Sequence, residues 1–256
     1  WGTTFKAQGL SGGNLKRPHA AIVCNLTRPT ATKPSLLNMA EVETLFHEFG
    51  HALHMMLSRC TYRSLAGANV YWDFVELPSQ IMENWTKEQE SLNLFAHHYE
   101  SGETIPAPLV EKIKASTKFQ AGYFSLRQLN FGFLDMAWHS SDPKDIVDIE
   151  KFEIEHTNKT NLFKHEEGSL FSTGFGHIFA GGYSAGYYSY KWAEVLDADA
   201  FELFKEHGIF NREIADAFRQ EILEKGGSEH PMELYKRFRG REPDPEALLR
   251  RDGLLE

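Results

Sequence analysis

The hydrophobic pattern is clearest between residues 38 and 57, which read NMAEVETLFHEFGHALHMML. Apolar residues recur there at spacings of three, four and seven, as on one face of a helix. They are Val42, Leu45, Phe46, Phe49, Leu53, Met56 and Leu57. Asn38 with Glu41 three residues later has the form of an N-cap and capping box. We therefore expect a helix that begins at Asn38 and ends near Ser58 or Arg59.

The remaining pattern predicts a mainly α-helical chain with a few short N-terminal strands. Residues 1–19 are polar and Gly-rich, which predicts loop or turn, whereas the apolar run 20–26 predicts a strand. Further helices are expected over approximately 78–101, 109–116, 119–139, 146–157, 187–207, 212–225 and 232–238, with a short one after 245. Apolar residues surround most of the 119–139 helix, which predicts deep burial. Residues 174–186 contain five glycines and form the most permissive stretch of backbone.

The first helix carries the pattern H-E-x-x-H, formed by His47, Glu48 and His51. Two imidazoles four residues apart share one helix face and can reach one metal ion, while Glu48 can act as general base for a water molecule. A catalytic zinc site needs a third protein ligand, and Glu76, Glu83 and His97 are downstream candidates. The alternative is a buried helix that carries this pattern by chance, although buried imidazoles and carboxylates need partners.

His54 lies on the same face but is seven residues from His47, roughly 10 Å along the helix axis. That distance is too great for one ion, so we expect His54 to pack or to support a ligand. Glu43 and Glu83 lie on helix faces from which each could orient a ligand.

Composition and charge exclude some classes of function. The net charge of −9 argues against non-specific nucleic-acid binding. The sequence contains no run of about 18 apolar residues, so we expect no transmembrane helix. Two cysteines, Cys24 and Cys60, are too few for a disulfide scaffold, so we expect reduced thiols and a cytoplasmic location. The sequence begins with Trp1 and not with Met, and we expect that residues precede it in the natural protein.

Several motifs, in the same order, resemble peptidase family M3, the thimet oligopeptidase family, and most closely its oligopeptidase A and peptidyl-dipeptidase branch. They are HEFGHALH, DFVELPSQ, ENW, GHIFAGGYSAGYYSY and GGSEHPMELYKRFRGREP, and the resemblance runs from about Ala20 to the end. It implies a zincin-like catalytic domain of the gluzincin type over residues 1–256 and hydrolysis of peptide bonds in short oligopeptides.

The resemblance also implies roles for individual residues. His47, His51 and Glu76 would bind one Zn²⁺ per chain, and Glu48 would be the general base. Tyr190 would donate to the oxyanion, with His177 and Tyr183 contacting the substrate backbone and Tyr187 as a further candidate. We expect Tyr183 to lie on a mobile loop because glycines surround it. Without the resemblance, the residue types would also fit tyrosines that pack in an aromatic core.

This sequence is much shorter than members of that family, whose N-terminal helical half forms the opposite wall of a deep channel. We therefore expect a fragment that contains the catalytic part, with the missing N-terminal half as its possible partner. Endopeptidase and dipeptidyl carboxypeptidase activity both remain open, as does a catalytically weak peptide-binding fragment. A basic cluster could bind a peptide carboxylate, but we expect an ion-paired surface there; it comprises Lys236, Arg237, Arg239 and Arg241.

Overall fold

Four short strands open the chain in the computed structural model, which describes residues 1–255. β1 (Gly2–Lys6) pairs with β4 (His19–Ile22), and β2 (Gly9–Ser11) pairs with β3 (Asn14–Lys16), both antiparallel. The prediction of loop for residues 1–19 was therefore wrong, and the strand predicted over 20–26 begins and ends earlier. Gly12 and Gly13 both have positive φ, which is the two-residue turn that suits a hairpin.

The regular elements that follow β4 within residues 1–255 are helices, which confirms the predicted mainly α class. The longest helices are α1 (Met39–Leu57), α5 (Ala121–Ser140) and α8 (Tyr188–His207). The shorter ones are α2 (Leu77–Glu83), α3 (Gln89–Phe95), α4 (Ala107–Thr117), α6 (Ile149–Thr157), α7 (Gly176–Phe179), α9 (Arg212–Phe218), α10 (Pro231–Arg239) and α11 (Pro245–Arg251). No helix within residues 1–255 combines the length and the apolar character needed to cross a bilayer.

The long helix predicted over residues 78–101 is divided in two. α2 ends at Glu83, a 3₁₀ turn covers Asn84–Lys87, and α3 follows after an extended residue at Glu88. The buried Asn84 amide donates to the Ile81 carbonyl and to Asp197, and the Trp85 indole donates to the Ile209 carbonyl. These tertiary partners favour a tighter turn at this point, and no local sequence signal records them.

The main hydrophobic core lies where α2 packs against α8, with the C-terminal helices closing it. Fully buried residues from all of these elements contribute, among them Leu77, Ile81, Leu196, Ile222 and Leu234. α5 belongs to a smaller cluster with α7 and is not buried all round, because Phe124 and Phe133 are each 53% exposed. The prediction of deep burial for this helix was wrong, since apolar residues around a helix cannot show which faces find partners.

α1 begins as predicted, with both hydrogen bonds of the Asn38–Glu41 capping box present. Its most buried face is not the one that the apolar pattern indicates. Leu45 and Phe49 are 37% and 45% exposed, whereas the buried positions are Glu48, Gly50, Ala52, His54 and Met55. The helix therefore buries Glu48 and His54 together with small and apolar residues, while part of its apolar pattern remains exposed.

Gly50 is the point where α1 and α2 touch. A Cβ atom on Gly50 would lie 2.2 Å from the carbonyl oxygen of Pro78 and 2.6 Å from the Cα atom of Ser79. Both are backbone atoms and cannot rotate away, so no side chain fits there without separating the helices.

We predict that Gly50→Ala lowers the free energy of unfolding by about 1–3 kcal/mol, as overpacking does in a tight core. Urea denaturation followed by circular dichroism measures this change. Gly122→Ala in α5 is the matched control, because its Cβ atom would meet only Leu254 Cδ2 at an ordinary 3.5 Å. Equal stability of both variants would contradict a tight crossing at Gly50.

His54 is fully buried in α1, and neither ring nitrogen has a hydrogen-bond partner within residues 1–255. Burial and, to a smaller extent, the nearby His51 together lower its pKa from an ordinary 6.5 to about 3. Below pH 6.5 the unfolded chain therefore binds a proton at His54. The folded chain binds this proton only near pH 3.

We predict that His54 weakens the fold as the pH falls through this interval, by at most about 1.4 kcal/mol per pH unit. In the variant His54→Leu, the free energy of unfolding should fall less steeply with decreasing pH than in the parent protein. Denaturation series at several pH values measure the two slopes. Parallel slopes would show that His54 does not resist protonation in the folded state.

Candidate metal centre

Three side chains from two helices meet at one point. His47 and His51 lie on neighbouring turns of α1, and Glu76 immediately precedes the first residue of α2. Glu76 Oε2 lies 3.4 Å from His47 Nε2 and 3.2 Å from His51 Nε2. One candidate ligand atom from each residue lies within 4.8 Å of the other two. The close crossing at Gly50 brings the two helices near enough for this meeting.

The Glu76 carboxylate is held on both oxygens. The Ser79 hydroxyl donates to Oε2 at 2.8 Å, and the Tyr183 hydroxyl donates to Oε1 at 2.9 Å. Burial by itself raises the pKa of Glu76, but the hydrogen bond and charge of His51 and the charge of His47 outweigh it and lower the pKa to about 2. Glu76 is therefore a carboxylate at neutral pH, in a fixed orientation.

The His47 ring is oriented by Glu83, whose Oε1 lies 2.7 Å from Nδ1. Burial lowers the pKa of His47, but the hydrogen bond to Glu83 and the charges of Glu76 and Glu83 raise it above its ordinary value overall. When the neutral ring donates from Nδ1, its Nε2 atom carries a lone pair and faces Glu76. A carboxylate behind an imidazole in this way is the usual support for a metal-binding histidine.

The donor set and spacing fit a tetrahedral divalent ion. Ligand atoms about 2.0–2.1 Å from zinc in tetrahedral geometry are roughly 3.3 Å apart, close to the two histidine–glutamate distances here. Two imidazoles and a carboxylate also match the ligand types of a catalytic site that leaves one position for water or substrate.

Glu48 lies next to these three residues and is only 8% exposed. Its Oε1 atom is 3.0 Å from the amino nitrogen of Trp1, the first residue of the sequence. Its Oε2 atom is buried and accepts no hydrogen bond from any residue that the structure describes. A buried carboxylate oxygen with a free lone pair, next to a candidate metal centre, is placed to accept a proton from a water molecule.

The tyrosines come from the segment between α7 and α8 and from the first turn of α8. The rings of Tyr183 and Tyr190 stack with their centroids 5.0 Å apart, and Tyr187 lies 5.2 Å from Tyr190. His177 lies at the border of this group, 5.5 Å from Tyr183. Burial raises the pKa of Tyr190 to about 12, so its hydroxyl keeps its proton at neutral pH.

Other candidates from the sequence lie elsewhere. His97 is exposed and forms a bridge with Thr104, away from the three ligand atoms. Glu43 pairs with Lys87. The predicted basic cluster is ion-paired, but it is not wholly at the surface, because the Arg239 side chain is only 9% exposed and pairs with the fully buried Asp199. Glu83 lies outside the close group of three and contacts it through His47.

Sequence reasoning missed two residues that shape this centre. Ser79 holds Glu76, and its only signal is a hydroxyl three residues after a candidate ligand. Trp72 packs against Tyr183 with ring centroids 4.8 Å apart. A Cβ atom on Gly186 would lie 2.7 Å from Trp72 Cδ1, so this glycine is needed for the close packing. No local pattern joins positions so far apart in the sequence.

Comparisons with known proteins agree on one family. The model of Peptidase family M3 matches residues 2–254. Oligopeptidase A of Salmonella typhimurium is 48% identical over 244 residues, which are 94% of this chain and 36% of that protein. An organellar oligopeptidase A of Arabidopsis thaliana is 47% identical over 253 residues, 95% of this chain and 32% of that protein. Dipeptidyl carboxypeptidase of Escherichia coli is 37% identical over 268 residues, 99% of this chain and 39% of that protein.

We predict that Glu83→Gln weakens zinc binding by about 10–100-fold, because the amide orients the His47 ring less strongly than the carboxylate. Competition with a chromogenic chelator measures the affinity without any activity assay. Glu88→Gln is the matched control, since Glu88 pairs with Lys114 and contacts none of the three candidate ligands. Unchanged affinity in Glu83→Gln would mean that this contact does not support metal binding.

Proposed function

The chain belongs to peptidase family M3, and on that premise we propose that it hydrolyses peptide bonds in short oligopeptides with one bound zinc ion. Residues 1–256 would form the catalytic domain, with His47, His51 and Glu76 as the metal ligands. The observation that carries the proposal is the close group of these three side chains. Their spacing and chemistry suit a zinc ion that keeps one position for water or substrate.

Glu48 is the proposed general base. When bound, zinc supplies a positive charge that polarises the scissile carbonyl and acidifies a water molecule. The free, buried Oε2 atom of Glu48 takes a proton from the attacking water and later passes it to the leaving amine. Glu48 is held in place because the backbone that carries it is a regular, capped helix.

Tyr190 is the proposed oxyanion donor. A hydroxyl whose pKa is raised to about 12 remains protonated and can donate to the negative oxygen that develops during peptide hydrolysis. Tyr183 donates to Glu76 in this structure, so we propose that it orients the third ligand as well as contacting the substrate backbone. His177 is exposed beside both rings, where it can donate to a substrate carbonyl.

Internal cleavage is favoured over release of C-terminal dipeptides. Identity is higher to relatives named oligopeptidase A than to those named dipeptidyl carboxypeptidase, 48% against 37%. Mass spectrometry of the products from a mid-length oligopeptide separates the two modes. Internal fragments support an oligopeptidase, whereas successive dipeptides lost from the C-terminus support the alternative.

The chain spans about a third of the length of the curated relatives that it matches, 36% in the case of the Salmonella protein. We propose that a further N-terminal part of the protein supplies the opposite wall of the substrate channel. Residues 1–256 alone should then bind zinc and cleave peptides weakly and with little preference for length. We also propose a cytoplasmic location, as two free cysteines favour, with no nucleic acid or membrane as partner.

We predict that Glu48→Gln retains zinc and lowers turnover of a quenched fluorescent oligopeptide by about 10²–10⁴-fold, because the amide cannot accept the proton. Zinc content by atomic absorption and initial rates measure the two effects. Glu43→Gln on the same helix is the control and should leave both unchanged. Turnover retained in Glu48→Gln would remove Glu48 as the base, and a parent protein without zinc would overturn the metal assignment.

A further inference from the structure

A buried carboxylate outside the metal centre holds the segment that carries the tyrosines. We propose that Asp135 of α5 is a positioning residue for peptide hydrolysis, acting through the segment 183–187, which we call the tyrosine turn. This inference rests on the proposed function, since it concerns how the tyrosines reach the metal centre.

Asp135 is fully buried and uses both carboxylate oxygens. Its Oδ1 atom accepts the backbone N–H of Ala185 at 2.9 Å, and its Oδ2 atom accepts the backbone N–H of Tyr187 at 2.8 Å. His139, one turn later on α5, places Nδ1 2.8 Å from Asp135 Oδ1. α5 is thus connected to a turn about 50 residues away in the sequence by hydrogen bonds with a charged acceptor, which are stronger than neutral ones.

The tyrosine turn needs such an anchor because its backbone is strained. Ala185 has φ of 53°, a left-handed conformation that is unfavourable for a residue with a Cβ atom. Within the described residues, no backbone carbonyl accepts a hydrogen bond from the N–H group of Ala185 or of Tyr187. Asp135 satisfies both, and these N–H groups also precede the N-terminus of α8, where negative charge is favoured.

A carboxylate is required at this position, since an amide of the same shape has one acceptor oxygen and one donor nitrogen. Asparagine would direct an NH₂ group at one of the two backbone N–H groups and leave that donor unsatisfied. Asp135→Asn therefore removes one of the two contacts and weakens the anchor, with almost no change in volume.

The anchored turn ends in two contacts that matter for the metal centre. Tyr183, its first residue, donates to Glu76 Oε1, and its ring stacks on Tyr190. On the opposite side, Trp72 packs on Gly186 and Tyr183. A turn released from Asp135 would move the Tyr183 and Tyr190 hydroxyls relative to Glu76, and a displacement of about 1 Å can lower a rate 10²-fold.

The first test needs no variant. Hydrogen exchange in the parent protein should show protected amides at Ala185 and Tyr187, because a buried carboxylate accepts both. Exchange at the rate of free amides would overturn the proposal.

In Asp135→Asn we expect both amides to exchange at least tenfold faster, with the amides of α1 unchanged.

The second test is kinetic and uses the zinc-loaded protein with a quenched fluorescent oligopeptide. Per bound zinc, Asp135→Asn should lower kcat by about 10–100-fold, alter KM far less and leave zinc affinity within twofold. Ala185→Gly added to this variant should restore part of kcat, because glycine adopts a positive φ without cost.

Asn130→Asp is the matched control on the same helix. Asn130 is also buried, but its amide donates to Thr157, Thr160 and Asn161, away from the tyrosine turn. This variant should lose stability while keeping kcat per zinc and the exchange rates at Ala185 and Tyr187. An equal fall in kcat there would reduce Asp135 to a structural role.

The outcomes separate this inference from the proposed function. A zinc-loaded parent protein that cleaves no peptide contradicts the proposed function, while the exchange measurements still decide whether Asp135 anchors the turn. An active parent protein with unchanged kcat in Asp135→Asn contradicts the positioning role alone.

Discussion

The close crossing of α1 and α2 at Gly50 is the constraint on which the candidate centre depends. Only a residue without a side chain allows the backbone of Pro78 and Ser79 to lie against α1. Glu76 precedes Pro78 by only two residues, so its carboxylate falls beside the two histidines of α1. The glycine within the H-E-x-x-H pattern is therefore as necessary to the geometry as the ligands, although it binds nothing.

Around this crossing, the protein supports buried polar groups with further polar groups. Glu83 supports His47, Ser79 and Tyr183 support Glu76, and Asp135 supports the turn from which Tyr183 extends. Each of these contacts joins different elements of the chain, apart from the one between Ser79 and Glu76. Because a buried carboxylate or imidazole without partners is costly, these contacts set the orientation of the centre as well as its stability.

Local signals predicted the elements that depend on local physics. The capping box at Asn38 gave the start of α1, and proline and glycine marked the ends of most later helices. Elements that depend on distant partners were predicted poorly. Residues 78–101 form two helices because Asn84 and Trp85 bind groups from α8 and from the loop after it. The hairpin within residues 9–16 was missed because its strands are short and polar.

By itself, the sequence determined the helical class, the pair of imidazoles on one helix face and the carboxylate beside them, since these follow from a period of 3.6 residues. Motifs and their order then indicated Glu76, Tyr183 and Tyr190. The tertiary structure alone decided which of the candidate carboxylates meets the histidines, which one orients His47, and that Asp135 holds the tyrosine turn. Those contacts join residues from 25 to 52 positions apart, and no periodicity extends over such separations.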